Sequence, residues 1–178
     1  MANVSLRRAT ADDVDWLVEL LNDEDTEPFL APHRLTPERV LDDVERSSSE
    51  PGKFGRLIVE VDGERAGVMG FEERSEAHRI ASLGGLAVHP GFRGRRLADE
   101  AARELQRYLV FELGYHRLEL ACYGFNARAI AHAERSGFVR EGIKRKAYER
   151  DGTWQDAILF ALVREDLEVA RRSDTIQT

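Results

Sequence analysis

One cysteine, Cys122, stands in 178 residues. That excludes a disulfide framework and a thiolate metal cluster, which need paired or grouped sulfurs. No apolar run approaches the length that spans a bilayer, and the opening residues MANVSLRRATADD hold no apolar signal core. Basic residues are in deficit as well, with 26 Lys and Arg against 33 Asp and Glu and a net charge of -7. This balance argues against general nucleic-acid binding, where phosphates must be neutralised, and it weakly favours the approach of a cation. A soluble, cytoplasmic protein is the simplest expectation. What is present is ordinary for a globular domain: 42% hydrophobic and 33% charged residues, in a length that suits one domain. Residues 1–170 are expected to form it, with 171–178 as a polar tail.

Periodicity places the elements. The segment 4-VSLRRA-9 alternates as a strand, and Thr10 with Asp13 resembles a capping box before Val14, Leu17, Val18 and Leu21 at helical spacing. Thr36-Pro37 opens a second helix carrying Val40, Leu41 and Val44. Strands at 56–61 and 65–73 flank the hairpin turn Asp62-Gly63. A strand at 80–89 is followed by a helix with Leu97, Ala101, Leu105, Tyr108 and Leu109 on one face, stopped by Gly114. Next come a strand at 117–123, a helix from about Asn126 to Ser136, and strands at 138–145 and 155–163. The order β-α-α-β-β-β-α-β-α-β-β implies one mixed sheet with helices packed on it.

The stretch 88-VHPGFRGRRLADEA-101 breaks the pattern by placing three arginines and two glycines where a helix begins. A helix N-terminus presents free N–H groups and the positive end of a dipole, so it suits an anion. A nucleoside-triphosphate loop is excluded, since no Gly-Lys-Ser/Thr follows, and so is the G-x-G-x-x-G dinucleotide spacing. A pyrophosphate held by amides and arginines remains, beside the alternative of a polar loop with a solvated arginine patch.

The segment 88-VHPGFRGRRLA-98 resembles the acetyl-coenzyme A signature of the GNAT superfamily of N-acetyltransferases, Arg/Gln-x-x-Gly-x-Gly/Ala, with Arg93 first and Ala98 last. Arg96 departs from it, because glycine is usual there. Downstream, 126-NARAIAHAERSGF-138 is similar to the family's Asn-x-x-Ala…Glu-Lys-x-Gly-Phe helix through Asn126, Ala129, Glu134, Gly137 and Phe138, with Arg135 for the lysine. The ending 148–167 is most like the branch of ribosomal-protein N-terminal and polyamine acetyltransferases. The resemblance implies an α/β (α+β) fold, a mixed and mostly antiparallel sheet of about seven strands with about four helices.

It also implies acetyl transfer from the coenzyme A thioester to a primary amine: a protein N-terminus, a polyamine or another small amine. In the family, Leu86, Ala87 and Val88 would pair with the pantetheine arm, opposite 117–123. Arg93, Gly94, Arg95, Arg96, Leu97 and Ala98 would hold the pyrophosphate, with Asn126 and Ala129 beside the cofactor. Arg135 is a candidate for the 3′-phosphate, against an ordinary surface arginine. Gly84-Gly85 fits a bulge. The usual acid and base positions hold Ala133 and the Ser82–Leu83 region. Substitutes are Glu72 (or Glu73), against a solvated hairpin end, and Tyr123, against a packed aromatic. Cys122 reads as a structural thiol, and His89 and His132 as non-metal, so no metal is expected. Trp16 and Phe29 would shape the acceptor side unless they pack in the core, and 22-NDEDTE-27 would attract a cation unless it is solvated surface. A homodimer stays open. The rivals are a non-catalytic acyl-CoA binding or sensing module, and a scaffold assembling through its last strand.

Overall fold

The computed structural model of the chain describes residues 3–30 and 34–176. Its strands are β1 (Val4–Arg8), β2 (Phe54–Val61), β3 (Glu64–Ser75), β4 (Ile80–Val88), β5 (Arg117–Tyr123), β6 (Val139–Arg150) and β7 (Thr153–Val163). They form one sheet in the order β1-β2-β3-β4-β5-β7-β6. Every neighbouring pair is antiparallel except β4 and β5, which run parallel. The helices are α1 (Val14–Leu21), α2 (Pro37–Ser49), α3 (Leu97–Arg107), α4 (Ala127–Arg135) and α5 (Arg164–Ile176).

Alternation along the strands sorts their side chains into two cores. On one face Ile58, Val68 and Ala87 pack against Leu17, Leu20 and Leu21 of α1 and Val40 and Val44 of α2. On the other, Leu57, Val59, Met69 and Phe71 pack against Leu97, Ala101 and Leu105 of α3, with Ala133 of α4. The period-2 sidedness of a strand makes this division automatic once the register is set. Asp62 (φ 52°) and Gly63 (φ 85°) form the tight β2–β3 turn that their sequence demands.

Several local signals act as their chemistry requires. The Thr36 hydroxyl accepts from the Arg39 amide at 3.4 Å, with Pro37 opening α2. Asp13 accepts from the Thr10 amide at 2.9 Å and ties both Arg7 and Arg65 to the start of α1. The third helix is extended by a π-helical turn, Tyr108–Glu112, before Gly114. Helix α5 goes beyond the four helices that periodicity places. It starts directly after β7, where Asp166 accepts from the Val163 amide at 3.0 Å, and Leu167 packs on the larger core. Its backbone continues through residues 171–176, the greater part of the segment expected as a tail; residues 177–178 lie outside the described residues.

Candidate active site

The parallel pair β4–β5 is joined only at Ile80–Arg117, Ala81–Leu118 and Ser82–Glu119. Beyond that point each strand keeps its other neighbour, β4 with β3 to Val88 and β5 with β7 to Tyr123. The sheet therefore opens between residues 83–88 and 120–123, and the outer backbone edge of β4 is left facing the gap. A bulge drives the divergence. Val68 pairs with Ala87 and Gly70 with Gly84, so one extra residue is accommodated on β4 beside Gly85, whose φ of +62° suits glycine. The Gly84-Gly85 expectation is met by the backbone itself.

A cavity of about 730 Å³ occupies this opening. Leu86, Ala102, Asn126, Ala129 and His132 wall its α3–α4 side. Phe29, Leu30, Arg56, Tyr123, Tyr148 and Glu149 wall the α1–α2 side. A space of this size, largely apolar with a few polar groups, is typical of a small-molecule site. Asn126 is buried, and its carbonyl oxygen accepts from the Ala129 amide at 3.0 Å, capping α4.

At one end of the opening the chain turns through Pro90–Phe92 into α3. Gly94 has φ +81°, and Arg96, at the N-cap of α3, has φ 58° and ψ 18°. A left-handed residue leading into helical ones turns successive amides toward one side, a concavity suited to an anion. Among the described residues, the amides of Gly94, Arg95, Arg96, Leu97 and Ala98 donate to no backbone acceptor, whereas that of Asp99 turns back to Arg96. The sequence allows an arginine at 96 to donate from ordinary negative φ; the structure instead gives it the glycine-like conformation.

The three arginines divide. Arg93 points inward: Nε donates to the Val88 carbonyl at 3.0 Å, Nη1 to Asp25 at 3.2 Å, and Nη2 to Thr26 at 3.1 Å and Asp23 at 3.5 Å. Its side chain is a strut tying the anion turn to the loop after α1, and this is also where two of the acids of 22-NDEDTE-27 are used. Arg95 and Arg96 stay exposed, Arg95 lying 5.6 Å from the Phe92 ring centre. With Arg103, Arg135, Asp99 and Glu100 they line a second hollow of about 370 Å³.

Asp99, only 3% exposed, organises that hollow. Arg135 donates to it through Nε at 2.7 Å and Nη2 at 3.1 Å, and His132 Nδ1 lies 2.7 Å from it. Burial pushes the Asp99 carboxyl up, but the bonds from Arg135 and His132 outweigh it, so its pKa is lowered. Arg135, itself exposed, is thus committed to an ion pair with a buried acid. Sequence reasoning missed Asp99, though an acid in a first helical turn opposite a His-x-x-Arg pair was the available signal.

The candidate acid and base are placed differently from expectation. Glu72 is not among the cavity-lining residues: its side chain points to the α2 face, where Arg46 binds it at 2.9 Å and Arg74 lies at 3.6 Å. Glu73 points to the other face and meets Lys53 at 3.3 Å and the Tyr115 hydroxyl at 3.4 Å. Tyr123 does line the cavity, but its hydroxyl donates to the Leu30 carbonyl at 3.3 Å, and its ring stacks on Phe125 at 5.0 Å and meets Tyr148 edge-on at 5.6 Å. Cys122 also lines the cavity, because the opening cuts through both faces of β5, and burial pushes its thiol pKa up. That keeps it a thiol rather than a nucleophilic thiolate. Ala133 is fully buried in the larger core. Phe29 lines the cavity, while Trp16 packs on the α1–α2 core and stacks at 6.5 Å on His89.

Comparison with known proteins places this architecture. The model of the acetyltransferase (GNAT) domain matches residues 3–139. The chain is 27% identical over 169 residues to spermidine N(1)-acetyltransferase of Escherichia coli (strain K12), covering 90% of this chain and 86% of that protein. It is 31% identical over 122 residues to the SPbeta prophage-derived uncharacterized N-acetyltransferase YokL of Bacillus subtilis (strain 168), covering 67% of each. Among solved structures it superposes on Mycobacterium smegmatis RimJ in complex with CoA-disulfide with a TM-score of 0.81 at 23% identity, covering 92% of this chain and 83% of that one. The chain belongs to the acetyltransferase (GNAT) family and is an N-acetyl-transferring enzyme.

Proposed function

We propose that this enzyme takes the acetyl group of acetyl-coenzyme A to a primary amine, and that the two halves of the opened sheet divide the work. The observation that carries the reading is the gap between β4 and β5 leading to a turn of unpaired amides at 94–98. The amides from Gly94 to Ala98 would hold the pyrophosphate, with Arg95 and Arg96 adding charge from outside. The free edge of β4 at Leu86, Ala87 and Val88 would pair with the pantetheine arm, against Asn126 and Ala129 on α4. Arg93 would act through the turn it anchors. Arg135 would keep Asp99 neutralised beside the anion and leave the 3′-phosphate to Arg95, Arg96 and Arg103.

Acetyl-coenzyme A supplies an acyl group on a good leaving group, the thiolate. What the chain adds is mainly position. It would hold a neutral amine in the aromatic end of the cavity, among Phe29, Tyr123 and Tyr148. Orientation of this kind accounts for large rate factors without a dedicated base, and water in the cavity mouth can carry the proton. Tyr123, with its hydroxyl on Leu30, serves as a wall of the acceptor end. A cytoplasmic location and a homodimer complete the proposal.

Ala133 and the absence of an unpaired glutamate in the Ser82–Leu83 region favour one second reading, a binding or sensing module without chemistry. Thiol release from acetyl-coenzyme A with a panel of amines separates the two. Turnover with at least one amine is expected, with Glu72→Gln, remote from the cavity, retaining it to within about twofold. Tight coenzyme A binding with no release for any amine would favour the sensor.

A further inference from the structure

We infer that Arg56 is a specificity-determining residue, donating to an oxygen that the acceptor carries beside its reacting amine. The inference rests on the acetyl-transfer reading above. Arg56 on β2 pairs with Gly70 on β3, which pairs with Gly84 on β4, so the three positions share the sheet face covered by α1 and α2. With no side chain at Gly70 or Gly84, the long arginine lies flat across β3 and ends at the bulge. A Cβ on Gly85 would stand 2.9 Å from its Nη1, and one on Gly70 3.9 Å from it. Nη2 is held by Asp43 of α2. The side chain is 16% exposed and lines the large cavity, and among the described residues Nη1 donates to no protein acceptor.

A fixed guanidinium thus faces the cavity where the free edge of β4 begins, across the sheet from the anion turn. Its chemistry discriminates between amines. A second ammonium finds only a donor at the free Nη1, and of the lining acids Glu27 is bound to Arg150 at 2.7 Å, while Glu149 accepts from the Gly152 amide at 2.8 Å. A carbonyl or carboxylate oxygen one carbon from the amine instead meets a preorganised donor. The cation also favours the neutral form of the amine that must attack. The acceptor chemistry that fits is an α-aminoacyl group, from a free amino acid or from the first residue of a peptide.

The test is thiol release from acetyl-coenzyme A with alaninamide, free alanine, an alanine-led peptide, propylamine (which lacks the oxygen) and spermidine. The α-aminoacyl amines are expected to exceed propylamine in kcat/KM by about 10- to 100-fold, the range of one hydrogen bond to a charged group. Arg56→Gln should shrink that ratio to within about threefold, and Arg56→Lys, which keeps a cation beside Asp43, should retain part of it. Free alanine against the peptide identifies the source of the group. Spermidine as the best substrate, with the ratio unmoved in Arg56→Gln, overturns the inference while leaving acetyl transfer intact. If no amine is acetylated, acetyl transfer fails instead, and calorimetry of N-acetylalaninamide binding decides Arg56: equal affinity in wild type and both variants overturns it. Should the glutamine variant fail to fold by circular dichroism, the lysine variant carries the same comparison.

Discussion

Arg96 carries the clearest conflict between residue type and backbone. At φ 58° a side chain meets its own peptide, a cost of roughly 1–2 kcal/mol that glycine escapes. Glycine returns about 0.5–1 kcal/mol of this through its freer unfolded chain. Arg96→Gly is therefore expected to raise the ligand-free melting temperature by about 2 °C, while Arg96→Ala, still strained, gives no gain. A glycine variant no more stable than the alanine variant contradicts the strain argument. The departure at 96 was visible in the sequence; its φ was not, because the residue type argues for the opposite sign. Arg93 teaches the complementary lesson. Its place in the motif was legible, yet its side chain is spent on Asp23, Asp25, Thr26 and Val88, which are 5 to 70 positions away in the chain. No local pattern encodes such partners.

Elements were legible where one period dominates. The hairpin at Asp62-Gly63, the cap at Thr36-Pro37 and the Gly84-Gly85 bulge each follow from local backbone chemistry. Helix α5 was not, since only Leu167 and Val169 are apolar in 164-REDLEV-169 and the preceding strand ends in the unbroken apolar run 157-AILFALV-163. The cavity walls were legible on the α3–α4 side through Asn126 and Ala129, and not on the other, because Arg56 reaches the bulge only through the pairing register of three strands. At this scale Asp13 offers a test of how β1 and α1 are joined. It is 3% exposed, and its bond from Arg7, helped by the Thr10 amide, brings its pKa down from 3.8 to about 2. A lowered carboxyl stabilises the fold fully above its unfolded pKa and loses that contribution as pH falls through the folded one. Urea unfolding should thus show about 2 kcal/mol lost between about pH 5 and pH 2 from this group, and Asp13→Asn should flatten that part of the profile. An identical profile in the variant contradicts the assignment.

The whole molecule is a net anion built around a local cation. In a molecule of charge -7 the α3 entrance gathers Arg95, Arg96, Arg103 and Arg135, and the buried acid Asp99 holds Arg135 among them. The two cores set the division of labour: α1 and α2 cover the face from which Arg56 reaches the bulge, and α3 and α4 cover the face that carries the anion turn. Between them the sheet is split by one extra residue on β4. The central claim is that this split is the coenzyme A site, and a crystal structure with coenzyme A tests it most directly. The pyrophosphate is expected within hydrogen-bond distance of the amides of Gly94 to Ala98, with the pantetheine arm along Leu86 to Val88. Coenzyme A bound elsewhere, with those amides still free and the gap between β4 and β5 unfilled, would contradict the account.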